Sequence, residues 1–140
     1  MHHVAIMNPA RQLIPKIIAG EKTIESRWYQ TRRAPWQKVA AGDTIFFKNS
    51  WGGLVASALV EKVQFHEVAS LDEAQALVDG YGDAICLPVR DVSQRKNKPR
   101  YVILMWLCDA QSIPSVMIDK TWYGASTARL VCEDIQDLGL

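Results

Sequence analysis

The chain has 140 residues, of which 49% are hydrophobic and 22% are charged, and its formal net charge is +1. This length predicts one domain, residues 1–140, that buries roughly two-thirds of the surface of the unfolded chain. The near-neutral charge argues against a polybasic nucleic-acid binder. No apolar run approaches the ~20 residues of a membrane span, and the first residues lack the layout of a secretory signal. We therefore expect a cytoplasmic protein with no membrane partner.

The cysteines of the chain do not form a recognisable framework. Cys86, Cys108 and Cys132 are odd in number, widely spaced and without a Cys-x-x-Cys pair or a neighbouring histidine. This pattern argues against both a disulfide scaffold and a zinc site. We predict no metal and no cofactor.

The first elements in chain order are a strand and a helix. An apolar run over residues 4–7 predicts the strand, and a proline at position 9 suits a helix start. Apolar residues then recur at helical spacing through Ile18, and Gly20 provides the residue that commonly ends a helix. Pro15 is the one residue that disfavours a helix over this stretch.

Residues 22–28 predict the second strand, which carries a cluster of ionisable side chains. The segment alternates in a way that suits a half-buried strand, so Thr23, Glu25 and Arg27 are expected on one face. Lys22 lies at the entrance of the strand, where its long side chain can bring the ammonium toward Glu25. The simplest alternative is a solvated Glu25–Arg27 ion pair, worth roughly 0–1 kcal/mol.

The remaining residues predict a sheet with one further helix. Residues 29–42 predict a long loop, residues 44–48 and 53–65 two strands joined by a turn, and residues 70–80 a helix capped by Ser70. Residues 83–97 fit a short helix or a loop, and strands are predicted over residues 101–107, 116–118 and 128–132. About six strands and two helices fit a partly open barrel with helices at one side.

Two motifs resemble the ASCH family, which is named after the activating signal cointegrator. The first is Gly-x-Lys-x-x-Glu-x-Arg, present as Gly20, Lys22, Glu25 and Arg27, and the second is a Gly42-Asp43 turn that leads into a hydrophobic strand. The resemblance implies an α+β, mostly β fold: a PUA-like, partly open β-barrel of about six strands with two or three flanking helices. It also implies a cleft where the lysine, glutamate and arginine meet.

The first functional hypothesis is an RNA-, nucleotide- or nucleoside-binding domain. Lys22 and Arg27 would hold anionic or carbonyl groups, and Glu25 would orient them or accept a hydrogen bond from an exocyclic amine. Aromatic side chains in loops suit base stacking, although packing against the barrel is the alternative for each of them. The predicted ligand-binding set is Lys22, Glu25, Arg27, Trp28, Lys48, Trp122 and Tyr123.

A second hypothesis is a small hydrolase, with Lys22 and Glu25 as its catalytic residues. The resembled family includes enzymes that hydrolyse N4-acetylcytidine with a lysine, a threonine three positions later and a distant glutamate, and some members are ribonucleases. Here the threonine position holds Glu25, and Thr23 is displaced by two positions. A third hypothesis is an adaptor domain that binds a protein. The basic residues Arg95, Lys96, Lys98 and Arg100 either join the binding surface or form a solvated loop.

Overall fold

The computed structural model describes residues 2–7, 9–30, 38–50, 52–86, 99–117 and 129–132. These residues contain six strands, two α-helices and a short 3-10 turn at Pro9–Arg11. In chain order the elements are β1 (His2–Met7), α1 (Leu13–Ala19), β2 (Ile24–Tyr29), β3 (Thr44–Asn49), β4 (Leu54–Glu67), α2 (Leu71–Ile85), β5 (Tyr101–Val116) and β6 (Arg129–Cys132).

The six strands form one mixed sheet in the order β2-β5-β4-β3-β1-β6. Only β1 and β3 pair in parallel, and β2 and β6 are the two edges. Three register shifts between β4 and β5 bend these long strands, as β-bulges do. The predicted α+β, mostly β fold is confirmed, and the sheet is not closed. No helix in the described ranges is long and apolar enough to cross a membrane.

Helix α1 is short because its sequence carries strong signals at both ends. Gly20 adopts the left-handed conformation with φ 80°, which ends the helix as predicted. Pro15 is tolerated because it lies in the first turn, where a backbone N–H has no acceptor within the helix. The carbonyl of Lys16 accepts the N–H groups of Glu21 and Lys22, at 2.9 and 3.0 Å. These bonds direct the chain from α1 into β2.

Helix α2 begins where the sequence predicts and ends later. The Ser70 hydroxyl accepts the N–H of Glu73, and the Glu73 carboxylate accepts the N–H of Ala69, so the two side chains cap the start of the helix. The expected end near Gly80 is wrong, because the helix continues to Ile85. Ile85 is 2% exposed and belongs to a buried cluster between α2 and the sheet. This tertiary packing outweighs the low helix propensity of Gly80.

Strand β5 is longer than its sequence predicts. It runs from Tyr101 to Val116, and Val116 pairs with Leu54 in β4. The prediction of a separate strand beginning at residue 116 is therefore wrong, because Val116 is the last residue of β5. The chain passes Asp109 in a left-handed conformation with φ 50°, which is compatible with a bulge in the strand. Residues 31–37 of the predicted loop after β2 and residues 87–97 of the uncertain segment after α2 lie outside the described residues.

The Gly42-Asp43 motif builds the turn before β3. Gly42 has φ 94°, a conformation that disfavours other residues, and its N–H donates to the carbonyl of Val60 at 2.8 Å. The Asp43 carboxylate accepts the N–H of Ala40 at 2.9 Å and lies 2.8 Å from Nε2 of His3, which is fully buried in β1. The motif therefore has a structural role, because it fastens the turn to β1.

We expect Asp43→Ala to lower the free energy of unfolding by about 1–3 kcal/mol at neutral pH, because it leaves buried donors without their acceptor. Burial alone would raise the pKa of Asp43, but the hydrogen bonds from His3 and Ala40 outweigh it and lower that pKa below 3.8. The stabilisation is thus present above about pH 3.8 and is lost as the pH falls through the lower folded value.

Urea unfolding of both proteins between neutral pH and about pH 3 measures this dependence. The difference between wild type and Asp43→Ala should narrow in acid. Asp79→Ala is the matched control, since Asp79 is exposed and bonds only to Gln75 among the residues that the structure describes. A difference that stays constant across this range would contradict the assignment.

Candidate functional site

A cleft of about 250 Å³ runs along the outer edge of β2. Its wall on the β2 side comes from one continuous segment that contributes Lys22 and then Glu25 to Trp28. The rest of the lining comes from the end of β1, the Pro9–Arg11 turn, the start of α1 and the last residue of α2, with the side chains Ile6, Met7, Arg11, Leu13 and Ile85. The cleft therefore lies where the open sheet brings its β2 edge toward β1.

Lys22 is the most enclosed cation of the cleft, with 3% of its surface exposed. Its Nζ donates to the carbonyl of Ile24 at 3.0 Å and to the carbonyl of Ile85 at 2.6 Å, so it links β2 to the end of α2. Burial lowers the pKa of Lys22, and the neighbouring charge of Glu25 opposes this change. Because an ammonium has three donors, one N–H is left for the cleft.

Glu25 and Arg27 extend the charged wall away from Lys22. Glu25 is 3% exposed, and its Oε1 lies 3.7 Å from Nε of Arg27. Nη2 of Arg27 lies 3.7 Å from the sulfur of Met7, across the cleft in β1. The structure thus brings Lys22, Glu25 and Arg27 into one hollow, two of them almost fully removed from solvent.

The backbone of β2 adds a donor and an acceptor to the same wall. The N–H of Leu107 donates to the carbonyl of Thr23 at 2.9 Å, and backbone groups alternate in direction along an antiparallel strand. The backbone of Ile24 and Ser26 therefore points away from β5, in agreement with the bond from Lys22 to Ile24. The N–H and C=O of Ser26 form no hydrogen bond with the described part of the chain.

The other predicted site residues have different positions. Trp28 lines the cleft, half-buried, and its Nε1 donates to the Ser26 hydroxyl at 2.9 Å. Thr23 is exposed and does not line the cleft. Lys48 is 6% exposed in β3, opposite Ile6, and also lies outside the described lining. Trp122 and Tyr123 lie outside the described residues, as do Arg95, Lys96 and Lys98.

Sequence reasoning missed the apolar residues of the lining, Ile6, Met7, Leu13 and Ile85, and two polar ones, Arg11 and Ser26. Ser26 lies inside the Lys-x-x-Glu-x-Arg motif at an unspecified position, and its backbone contribution depends on β2 being an edge strand. Arg11 comes from the short turn after β1 and is brought to the cleft only by the path of the chain. No local pattern in the sequence marks either residue.

The charges of the cleft suit an anion better than a metal ion. In the part of the lining that the structure describes, three cationic side chains, Arg11, Lys22 and Arg27, accompany one carboxylate, that of Glu25. Among the residues that the structure describes, no group of three or more histidines, cysteines or carboxylates is placed to hold a metal. An anionic ligand would be attracted by this excess of positive charge.

The six-stranded open sheet and its flanking helices form an α+β, mostly β fold that is similar to the fold of ASCH domain structures. The fold is similar to the crystal structure of ASCH from Zymomonas mobilis, with a TM-score of 0.68 and 17% identity over 97% of this chain and 91% of that one. A tyrosine-to-phenylalanine variant of that protein gives a TM-score of 0.69 at 17% identity, over 97% and 93% of the two chains.

A hypothetical protein, PH0355, is less similar in structure. Its crystal structure gives a TM-score of 0.52 and 18% identity, over 81% of this chain and all of that one. No protein-family model matches the sequence, and no curated protein matches it significantly. The resemblance to ASCH domains that the two motifs predict is therefore confirmed for the fold.

Proposed function

We propose that the protein binds RNA, or a nucleotide or nucleoside, with an unpaired base in the cleft beside β2. The observation that carries the proposal is the cleft wall built by residues 22–28, where a buried lysine, a buried carboxylate, an arginine and a tryptophan surround about 250 Å³. Such a combination of hydrogen-bonding, charged and aromatic groups is what recognition of a single unstacked base requires.

The size of the cleft supports a small ligand. Pockets for larger organic ligands range over roughly 300–1,000 Å³, whereas this cleft has about 250 Å³. A single base or one nucleotide is the matching scale, and a duplex would not enter. We therefore favour single-stranded RNA or a free nucleotide over double-stranded nucleic acid.

The groups in the wall match the chemistry of a base edge. The Glu25 carboxylate is an acceptor for an exocyclic amine, and the N–H and C=O of Ser26 supply a donor and an acceptor beside it. Lys22 and Arg27 are donors for carbonyl oxygens or a phosphate. The indole of Trp28 lines the cleft and also packs against the cluster that contains Ile24 and Leu104, and stacking on an aromatic ring is worth about 1–3 kcal/mol for each base.

Fluorescence titration with mononucleotides and short single-stranded RNA tests this function. We expect quenching that weakens as salt increases, and we expect Trp28→Phe to remove most of the signal because Trp28 lines the cleft. The control is Trp106→Phe, since Trp106 packs against Tyr81 and Lys62 and is outside the described lining. The proposal fails if none of these ligands quenches the fluorescence in a salt-dependent way.

One observation favours a hydrolase as the second candidate. Burial lowers the pKa of Lys22, although Glu25 opposes this, and a neutral amine would keep two N–H groups on the carbonyls of Ile24 and Ile85. Its lone pair would then face the cleft and accept a proton from water attacking a substrate. Thr23 is exposed, so the only side-chain hydroxyl in the described lining is that of Ser26. Assays with N4-acetylcytidine and unstructured RNA test this candidate.

A further inference from the structure

We propose that Arg11 binds a phosphate group at the mouth of the cleft, so that the preferred ligand is a phosphate-bearing nucleotide and not a free nucleoside. This inference rests on the proposed function of the cleft and adds the chemical class of the ligand. It concerns a residue outside the Lys-x-x-Glu-x-Arg motif, on a different wall of the cleft.

Arg11 is available for a ligand. It is the last residue of the Pro9–Arg11 turn, it is exposed, and it lines the cleft. It forms no hydrogen bond or ion pair with the residues that the structure describes. The backbone beside it is held in place, because the N–H of Gln12 donates to the carbonyl of Pro9 and Leu13 is buried at the start of α1. Its guanidinium is thus presented from a fixed backbone.

The solvent exposure of the three cations increases from the interior of the cleft to its mouth. Lys22 is 3% exposed, the Arg27 side chain is 16% exposed, and Arg11 is exposed. A base that reaches Glu25 occupies the inner part of the cleft, beside Lys22. Its sugar phosphate then extends toward the mouth, where a planar guanidinium is suited to bidentate contact with phosphate oxygens.

The charge of the lining favours a phosphate over a neutral ligand. Glu25 is the only carboxylate in the described lining, against Lys22, Arg27 and Arg11. Burial lowers the pKa of Lys22 and Glu25 opposes this change, but the charges of Arg27 and Arg11 add to the lowering, so both arginines repel the Lys22 ammonium. A phosphate monoester carries about −1.5 to −2 charges, which offsets this repulsion, whereas a nucleoside carries none.

The test compares nucleosides with nucleotides. Dissociation constants are measured by calorimetry for the four ribonucleosides, their 3′- and 5′-monophosphates and the corresponding dinucleotides. We expect a phosphate to improve wild-type affinity about tenfold or more. Arg11→Ala should reduce this preference to within about twofold and leave nucleoside binding within about twofold of wild type. The salt dependence of nucleotide binding should also weaken, because Arg11→Ala removes one contact between opposite charges.

The controls separate a specific contact from overall charge. Lys38→Ala removes one exposed positive charge before the Gly42-Asp43 turn, away from the described lining, and should keep the preference. Arg11→Lys should retain part of it, since the charge remains but the bidentate geometry is lost. Improved binding of both monophosphates and dinucleotides assigns the site to any phosphate, and improvement confined to monophosphates assigns it to a terminal one.

Three results would overturn the inference, and they differ in whether the proposed function of the cleft survives. Equal wild-type affinity for nucleosides and nucleotides rejects the role of Arg11 while the cleft remains a base-binding site. An Arg11→Ala protein that keeps the full preference for phosphate rejects it in the same way. Failure of every nucleoside and nucleotide to bind rejects both the inference and the proposed function.

Discussion

Replacing Lys22 by methionine is expected to weaken nucleotide binding by roughly 10- to 100-fold. Methionine occupies a similar volume, but it cannot donate to the ligand or to the carbonyls of Ile24 and Ile85 that the ammonium contacts. Hydrogen bonds from charged groups contribute about 1.5–3 kcal/mol each, which gives this range for the single N–H that faces the cleft. Titration of nucleotides into the wild-type and variant proteins measures the change.

The controls for this prediction address folding and charge. In the Lys22→Met protein the carbonyls of Ile24 and Ile85 lose a donor, which lowers stability. Circular dichroism and urea unfolding therefore check that this variant is folded before its affinity is compared. Lys16→Met removes the same chemical group from α1, outside the described lining, and should change affinity by less than about twofold. Unchanged nucleotide affinity in a folded Lys22→Met protein would show that the ligand binds elsewhere. Any hydrolysis by wild type that survives the substitution would remove the catalytic role of Lys22.

Replacing Glu25 by glutamine should give the largest loss of stability among these variants. Glu25 is 3% exposed and lies between Lys22 and Arg27, so the neutral amide leaves two enclosed cations without their counter-charge. Removing one partner of a buried ion pair costs about 3–5 kcal/mol, and partial exposure of Arg27 places the expected loss near the lower end. The midpoint and slope of urea unfolding measure it.

Two further variants test whether the loss of stability comes from the buried charges around Glu25. Glu61→Gln is the same chemical change at an exposed position of β4, and its effect should stay within about 0.5 kcal/mol. Combining Glu25→Gln with Lys22→Met should cost less than the sum of the single changes, because the uncompensated ammonium is then absent. Additive losses in the double variant would mean that the two charges are not coupled in the folded protein.

Local chemistry made several elements predictable. Gly20 ends α1 because a left-handed residue after a helix satisfies the last carbonyls, and this requirement is visible in sequence. Ser70 and Glu73 mark the start of α2 through hydrogen bonds between close neighbours. The alternation of residues 22–28 similarly predicts a strand, which the structure has at Ile24–Tyr29. In each case the interacting groups lie within a few residues of one another.

Long-range packing decided the elements that were predicted incorrectly. The continuation of α2 to Ile85 depends on a cluster with Ile24 and Leu104, which are distant in the chain. The union of residues 101–116 into one strand depends on pairing with β4 along its length. Neither partner can be identified from the local sequence, so helix and strand propensities alone stop these elements too early.

The candidate site was likewise predictable from the sequence only in part. The sequence by itself places Lys22, Glu25 and Arg27 on one short segment, because their spacing is a property of neighbouring residues on a strand. Only the tertiary structure decides that this strand is an edge, that α2 closes over Lys22 through the Ile85 carbonyl, and that Arg11 comes to the opposite wall. The physical reason is that enclosure, and with it the lowered pKa of Lys22, arises from contacts between segments that are remote along the chain.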